Sequence, residues 1–159
     1  MTIHKDILLS VVSPCYNEEG VIEEFITRTT QVLEQHFKNY ELLLVDDGSK
    51  DGTVEKIAEC QRKNPNIRLI RLSRNFGKEA AVTAGLENSN GEIVVMLDSD
   101  LQDPPFLIPQ LIEKLDGGYD IVSAQHTIRK KETWIKKSTS KIFYKIASHW
   151  KLLHRFWRT

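Results

Sequence analysis

Val94-Val95-Met96-Leu97-Asp98-Ser99-Asp100-Leu101-Gln102-Asp103-Pro104-Pro105 changes character in its middle. An apolar run gives way to three carboxylates and an amide within six residues, then to two prolines. The apolar half reads as a buried strand. The prolines cannot continue a sheet ladder and force a loop. Asp98, Asp100, Gln102 and Asp103 are therefore expected at the C-terminal mouth of a strand, where open α/β sheets take their ligands. Oxygen donors crowded in this way repel one another unless a hard divalent cation sits among them.

Working outward, the same alternation recurs. Ile7-Leu8-Leu9-Ser10-Val11-Val12 reads as a first strand ending at Ser13-Pro14, followed by the loop Pro14-Cys15-Tyr16-Asn17-Glu18-Glu19-Gly20. Val21, Ile22, Phe25, Ile26, Thr29, Val32, Leu33 and Phe37 then share one helical face. A second strand, Glu41-Leu42-Leu43-Leu44-Val45, runs into Asp46-Asp47-Gly48-Ser49. Ser49 or Asp51 is placed to cap a helix from near Thr53, which Asn64-Pro65-Asn66 closes. Ile67-Arg68-Leu69-Ile70-Arg71-Leu72 is a third strand and Ser73-Arg74-Asn75-Phe76-Gly77-Lys78 a loop. An Ala-rich helix over 79–88 has small residues suited to packing close against a sheet. After the fourth strand (92–97) and its acidic end come a helix over 106–115 and a fifth strand over 119–123. Repeated strand–helix alternation with short loops predicts an α/β fold: a mostly parallel sheet with helices on both faces.

Composition narrows the class. The 159 residues are 40% hydrophobic and 28% charged, an ordinary globular balance with enough length for one real core. The formal net charge of zero hides an asymmetry. Residues 126–159 hold ten Lys/Arg against the single acid Glu132, a net +9, and the first 125 residues carry −9. All three Trp (Trp134, Trp150, Trp157) also fall in this last segment. Two organisational units follow: residues 1–125 as the α/β domain, and 126–159 as a basic amphipathic segment. Cys15 and Cys60 lack any zinc-ligand spacing and read as two free thiols. No apolar stretch approaches the ~20 residues of a membrane span. The N-terminus does not read as a signal peptide.

Three loops on one sheet edge are acidic or polar: Tyr16-Asn17-Glu18-Glu19, Asp46-Asp47 and Asp98 to Asp103. One such loop alone would be a helix cap or a solvated turn. Three converging on one edge point to a metal or a cationic ligand. Other phosphate devices are missing: there is no GxGxxG and no GxxxxGK[ST]. A phosphatase-like Asp98-Ser99-Asp100 pair stands too late in the chain. A receiver-domain acid pair would need the first strand, where Pro14-Cys15-Tyr16 stands.

Together, Val12-Ser13-Pro14-Cys15-Tyr16-Asn17-Glu18-Glu19, Val45-Asp46-Asp47-Gly48-Ser49-Lys50-Asp51-Gly52-Thr53, Arg74-Asn75-Phe76-Gly77-Lys78 and Asp98-Ser99-Asp100-Leu101-Gln102-Asp103-Pro104-Pro105 resemble family 2 glycosyltransferases of the GT-A fold. Within that family they look most like the polyprenyl-phosphate group, which includes the bactoprenol glucosyltransferases and dolichol-phosphate mannose synthase. The resemblance runs from about Ile7 to Ile146. It implies a hexosyltransferase that moves a sugar, with inversion, from a nucleotide-sugar to a polyprenyl-phosphate carrier in cell-envelope glycosylation. Pro14, Tyr16 and Glu18 would border base and ribose. Asp46 would accept a hydrogen bond from the base, best uracil N3–H, with Asp47 and Ser49 supporting its loop. Lys78 and Ser99 would join the nucleotide-sugar site. Asp98 and Asp100 would be the catalytic carboxylates, and Asp98, Asp100 and Gln102 would hold Mg²⁺ or Mn²⁺. The donor implied is a UDP-sugar such as UDP-glucose, with GDP-mannose second. The location implied is peripheral, on the cytoplasmic face of the membrane, with no nucleic acid partner; an oligomer stays open.

Past Ile146 the family's Gly-Asp-Phe-Arg-like acceptor segment and transmembrane helices find no counterpart, and His126, with Arg129 nearby, stands where an arginine is usual. The domain is therefore expected to be truncated on its C-terminal side. Two readings stand: an active transferase, and a non-catalytic remnant that binds nucleotide-sugar. Within 134–157, Ile135, Ile142, Ile146, Trp150, Leu153 and Trp157 line one helical face, with lysines on the rest. That pattern fits either an anchor on anionic lipid or a helix packed on the sheet.

Overall fold

A computed structural model describes residues 7–115 and 117–124. The chain alternates β1 (Leu8–Cys15), α1 (Ile22–His36), β2 (Asn39–Asp46), α2 (Thr53–Lys63), β3 (Ile67–Arg71), α3 (Lys78–Asn88), β4 (Ile93–Met96) and α4 (Ile108–Leu115). The strands form one sheet in the order β3-β2-β1-β4, and every pairing is parallel. The expected fold class, a parallel sheet with helices on both faces, is what the chain adopts.

Side-chain alternation explains why the strands read as continuous apolar runs. Val11, Leu42 and Leu44 face one layer with Ile22, Phe25 and Leu33 of α1, Ile57 of α2, and Ile108 and Ile112 of α4. Their neighbours Val12, Leu43 and Val45 face the other layer, with Ala81 of α3. A strand covered on both faces has no polar side to show. The Ala-rich α3 lies close to the sheet, as its small residues predict: a Cβ on Gly85 would sit 2.3 Å from Val12 Cγ1 and 3.1 Å from Val45 Cγ2.

Three expectations are corrected. β1 does not stop at Ser13-Pro14 but pairs with β2 through Cys15, opposite Asp46. Pro14 is tolerated because the β1–β4 ladder ends at Val12–Met96, so the missing N–H faces no strand on that side. The helix after Pro104 begins as a 3₁₀ turn, Pro105–Leu107, and becomes α-helical only at Ile108. Residues 119–123 form no strand, and Tyr119 and Ile121 are 66% and 54% exposed. A short stretch of this kind makes a strand only where a neighbour supplies the ladder. Among the described residues no helix is long and apolar enough to cross a membrane. The basic segment 126–159, with His126 and Arg129, lies outside the described residues.

The strand order positions the site. The chain steps outward from β1 to β2 to β3, then returns to the far side of β1 as β4. The loops leaving β1 and β4 therefore diverge, which opens a crevice at the carboxyl ends of the strands.

Candidate nucleotide-sugar site

Pro14, Cys15, Tyr16, Glu18, Asp47, Asn75, Gly77, Lys78, Asp98, Ser99 and Asp100 line a cleft at that crevice, so all four of the quoted motifs reach it. Its volume, about 280 Å³, is near the lower bound of small-molecule sites.

The first wall is the β1–α1 loop, which the β2–α2 loop holds by side chains. Asn17 has φ +54°, a left-handed conformation that asparagine tolerates. Its N–H donates to Ser49 Oγ at 2.8 Å, and its Oδ1 accepts Lys50 N–H at 2.9 Å. Glu18 N–H donates to Thr53 Oγ1 at 2.9 Å and Glu19 N–H to Asp51 Oδ2 at 3.2 Å. Asp51 also accepts Thr53 N–H at 3.1 Å at the start of α2, whose N-cap position is Gly52 and has no side-chain cap, so neither Ser49 nor Asp51 is the expected N-cap. Tyr16 stands exposed at the rim of this braced loop.

The second wall is organised by Asp47. This buried carboxylate accepts Phe76 N–H and Gly77 N–H, each at 2.8 Å, one on each oxygen. Gly48, at φ +72°, lets the β3–α3 loop approach: a Cβ there would lie 2.5 Å from Arg74 C. Gly77 itself has φ +99° and precedes Lys78, the first residue of α3. Lys78 Nζ reaches across to Asp98 Oδ2 at 2.5 Å.

The third wall follows β4. Ser99 is buried and donates its hydroxyl to Pro14 O at 3.0 Å, tying the acidic loop to the end of β1. Asp100 is exposed, and its Oδ1 accepts Gln102 N–H at 3.0 Å. Leu101, between them, is held at φ +62°, a conformation costly for a bulky side chain and concentrated in functional loops.

Asp46, Ser49, Gln102 and Asp103, all singled out in the sequence, do not line the cleft. Asp46 is 0% exposed; both its oxygens accept Ser49 N–H, at 3.2 and 3.3 Å, and Arg71 Nε lies 3.8 Å away. Gln102 touches the site through its N–H on Asp100. Conversely, Cys15, Asn75 and Gly77 line it without having been assigned a role. Their signal was present, since each lies inside a quoted motif beside an assigned residue.

Electrostatics limit the chemistry. Burial, reinforced by Asp46, Glu18, Asp51 and Asp47, pushes the Cys15 thiol up from its ordinary range, which favours the thiol over the thiolate. Partial burial, then the charges of Asp100 and Asp51, raises the Glu18 carboxyl. Among the described residues no three His, Cys, Asp or Glu side chains are grouped as a complete metal cage. The hard oxygen donors Asp98 and Asp100 at the mouth do fit Mg²⁺ or Mn²⁺. Such ions are commonly held by one or two carboxylates, with substrate phosphates and water completing the shell.

Comparison with known proteins places this geometry. The chain is 46% identical over 138 residues to the uncharacterized glycosyltransferase sll0501 of Synechocystis, covering 87% of this chain and 43% of that protein. It thus spans less than half the length of that relative. Among solved structures it is similar to glucosyl-3-phosphoglycerate synthase of Mycobacterium tuberculosis in complex with Mn²⁺, UDP and glucosyl-3-phosphoglycerate. That likeness has a TM-score of 0.56 at 28% identity and covers 69% of this chain and 40% of the other. It is also similar to the mannosyltransferase PcManGT of Pyrobaculum calidifontis in complex with GDP-Man and Mn²⁺. There the TM-score is 0.53 at 27% identity, over 60% and 32% of the two chains. The sheet is accordingly GT-A-like. The model of the family described as glycosyl transferase family 2 matches residues 10–158, and the chain belongs to that family.

Proposed function

We propose that this chain supplies the donor site of a glycosyltransferase that takes a hexose from a nucleoside diphosphate sugar, UDP before GDP, and delivers it to a polyprenyl phosphate. The observation that carries the reading is the cleft itself, where among the described residues the Lys78 ammonium pairs with Asp98, and Asp100 lines the same cleft with the Pro14–Glu18 wall. That arrangement suits a diphosphate on one side and a divalent cation on the other. The relatives in complex with UDP and Mn²⁺, or GDP-Man and Mn²⁺, support the donor class. The motif resemblance supports the polyprenyl acceptor.

Each residue has a part. Pro14, Tyr16 and Glu18 border base and ribose. Asp98 and Asp100 would hold the metal, and Gln102 steadies Asp100 through its N–H. Asp47 and Ser99 keep the walls in place. When bound, the divalent cation acts as a Lewis acid that neutralises the departing diphosphate. The acceptor's phosphate oxygen is already ionised at neutral pH, so this chain need not supply a general base. That oxygen forms the new bond to the anomeric carbon as the bond to the donor diphosphate breaks. Attack from the opposite face inverts the centre.

The test is a calorimetric screen of UDP- and GDP-sugars against the full chain, with Mn²⁺ or with chelator, followed by transfer to polyprenyl phosphate. A UDP-sugar should bind and lose affinity on chelation. Binding of neither nucleotide would sink the reading, and binding without transfer would restrict the chain to donor capture. The membrane part rests on the charge of 134–157: flotation with anionic liposomes should be lost when that segment is removed.

A further inference from the structure

We propose that Lys78 is a resident counter-cation for Asp98 that the donor diphosphate must draw away, so that metal and donor load cooperatively through this one side chain. The inference rests on the donor reading above and deepens it.

Among the described residues four carboxylates line the cleft, Glu18, Asp47, Asp98 and Asp100, and Lys78 is the one cation beside them. These acids are not equivalent. Asp47 is occupied by the N–H groups of Phe76 and Gly77. Asp98 is instead occupied by the Lys78 ammonium at 2.5 Å. A divalent ion approaching Asp98 therefore meets a positive charge already paired to one of its two carboxylate oxygens, Oδ2. It must displace that charge or bind beside it, and both weaken the metal when it comes alone.

The geometry also shows how the obstruction is lifted. Lys78 opens α3, and its backbone is anchored by the two bonds from Asp47 to the residues just before it. The ammonium, in contrast, ends a flexible four-carbon stem, and its side chain is 59% exposed. A diphosphate in the cleft offers that ammonium more negative charge than one carboxylate. The side chain turns to the phosphate, Asp98 is released, and the metal takes it. Linkage makes the effect reciprocal: donor tightens metal by the factor that metal tightens donor.

The experiment measures Mn²⁺ binding to the full chain, by electron paramagnetic resonance of the free ion, with and without UDP. Wild type, Lys78→Met and Lys78→Arg are compared. Lys78→Met should bind Mn²⁺ alone roughly three- to ten-fold more tightly than wild type, the range for losing a competing charge in a solvated cleft. It should bind UDP less tightly and show a smaller coupling factor, whereas Lys78→Arg should behave as wild type. Mn²⁺ affinity of Lys78→Met equal to or below wild type overturns the inference while leaving the donor reading intact. A wild-type chain that binds neither Mn²⁺ nor UDP overturns both. Lys78 is exposed, so equal melting temperatures will show that the variants are folded.

Discussion

Two pairs of aspartates end two parallel strands on the same edge of the sheet, and they have opposite fates. Asp46 and Asp47, after β2, are 0% and 4% exposed and are consumed by backbone N–H groups of Ser49, Phe76 and Gly77. Asp98 and Asp100, after β4, open onto the cleft, one against Lys78 and one against Gln102 N–H. The difference lies in the neighbours. β2 is flanked by strands on both sides, so its loop is crowded by the loops leaving β1 and β3. β4 lies beside β1 at the point where the strand order reverses, and its loop has a crevice to face. Buried acids accept N–H groups and hold the loops, whereas the acids after β4 keep oxygen surface open to the cleft.

This contrast can be broken by mutation. Asp47→Ala should have the largest effect, about 3 kcal/mol of stability in urea unfolding, because two charge-assisted bonds disappear and two N–H groups lose their acceptor. A loss under 1 kcal/mol would mean that Asp47 is not the pin of the β3–α3 loop. Asp46→Ala should cost less, about 2 kcal/mol, since its bonds are longer and converge on one N–H. Titration of the same variant with free uridine sharpens the point. Uridine affinity that falls while the fold holds would make Asp46 a reader of the base, as the sequence resemblance implies. Asp100→Asn should leave stability unchanged and lower Mn²⁺-dependent UDP affinity roughly ten-fold, about 1.4 kcal/mol. Equal binding with and without chelator in wild type would remove the metal from the β4 pair.

The smallest effect concerns the opposite end of the sheet. Burial alone would raise the Glu41 carboxyl. Asn90 N–H at 2.7 Å, Ser10 Oγ at 2.6 Å, Arg68 and the Asn90 amide outweigh it and hold the group below its ordinary 4.5. A folded value below the unfolded one means stability fully present above 4.5 and lost as pH falls through the lower folded value. Glu41→Gln should therefore be less stable than wild type at pH 7 and lose less on acidification, read from unfolding midpoints. Parallel acid slopes for the two proteins would refute the assignment.

Much of this was legible in one dimension. Apolar runs of strand length, helical periodicity and short loops led directly to a parallel α/β sheet, because a strand buried on both faces must be apolar throughout. The acidic ends of β2 and β4 could be placed on one edge for the same reason, and four short motifs in order were enough for the family. The strand expected over 119–123 failed because a short apolar stretch does not specify the neighbour that would supply its ladder. That Asp46 is buried and Asp100 exposed was also invisible, because both are aspartates following an apolar run. Composition and periodicity could name the sheet, its edge and the residues that meet there. Which carboxylates hold the loops and which stay open to the cleft was decided by folding, since a hydrogen-bond partner is set by contacts between residues as far apart in sequence as Asp47 and Gly77.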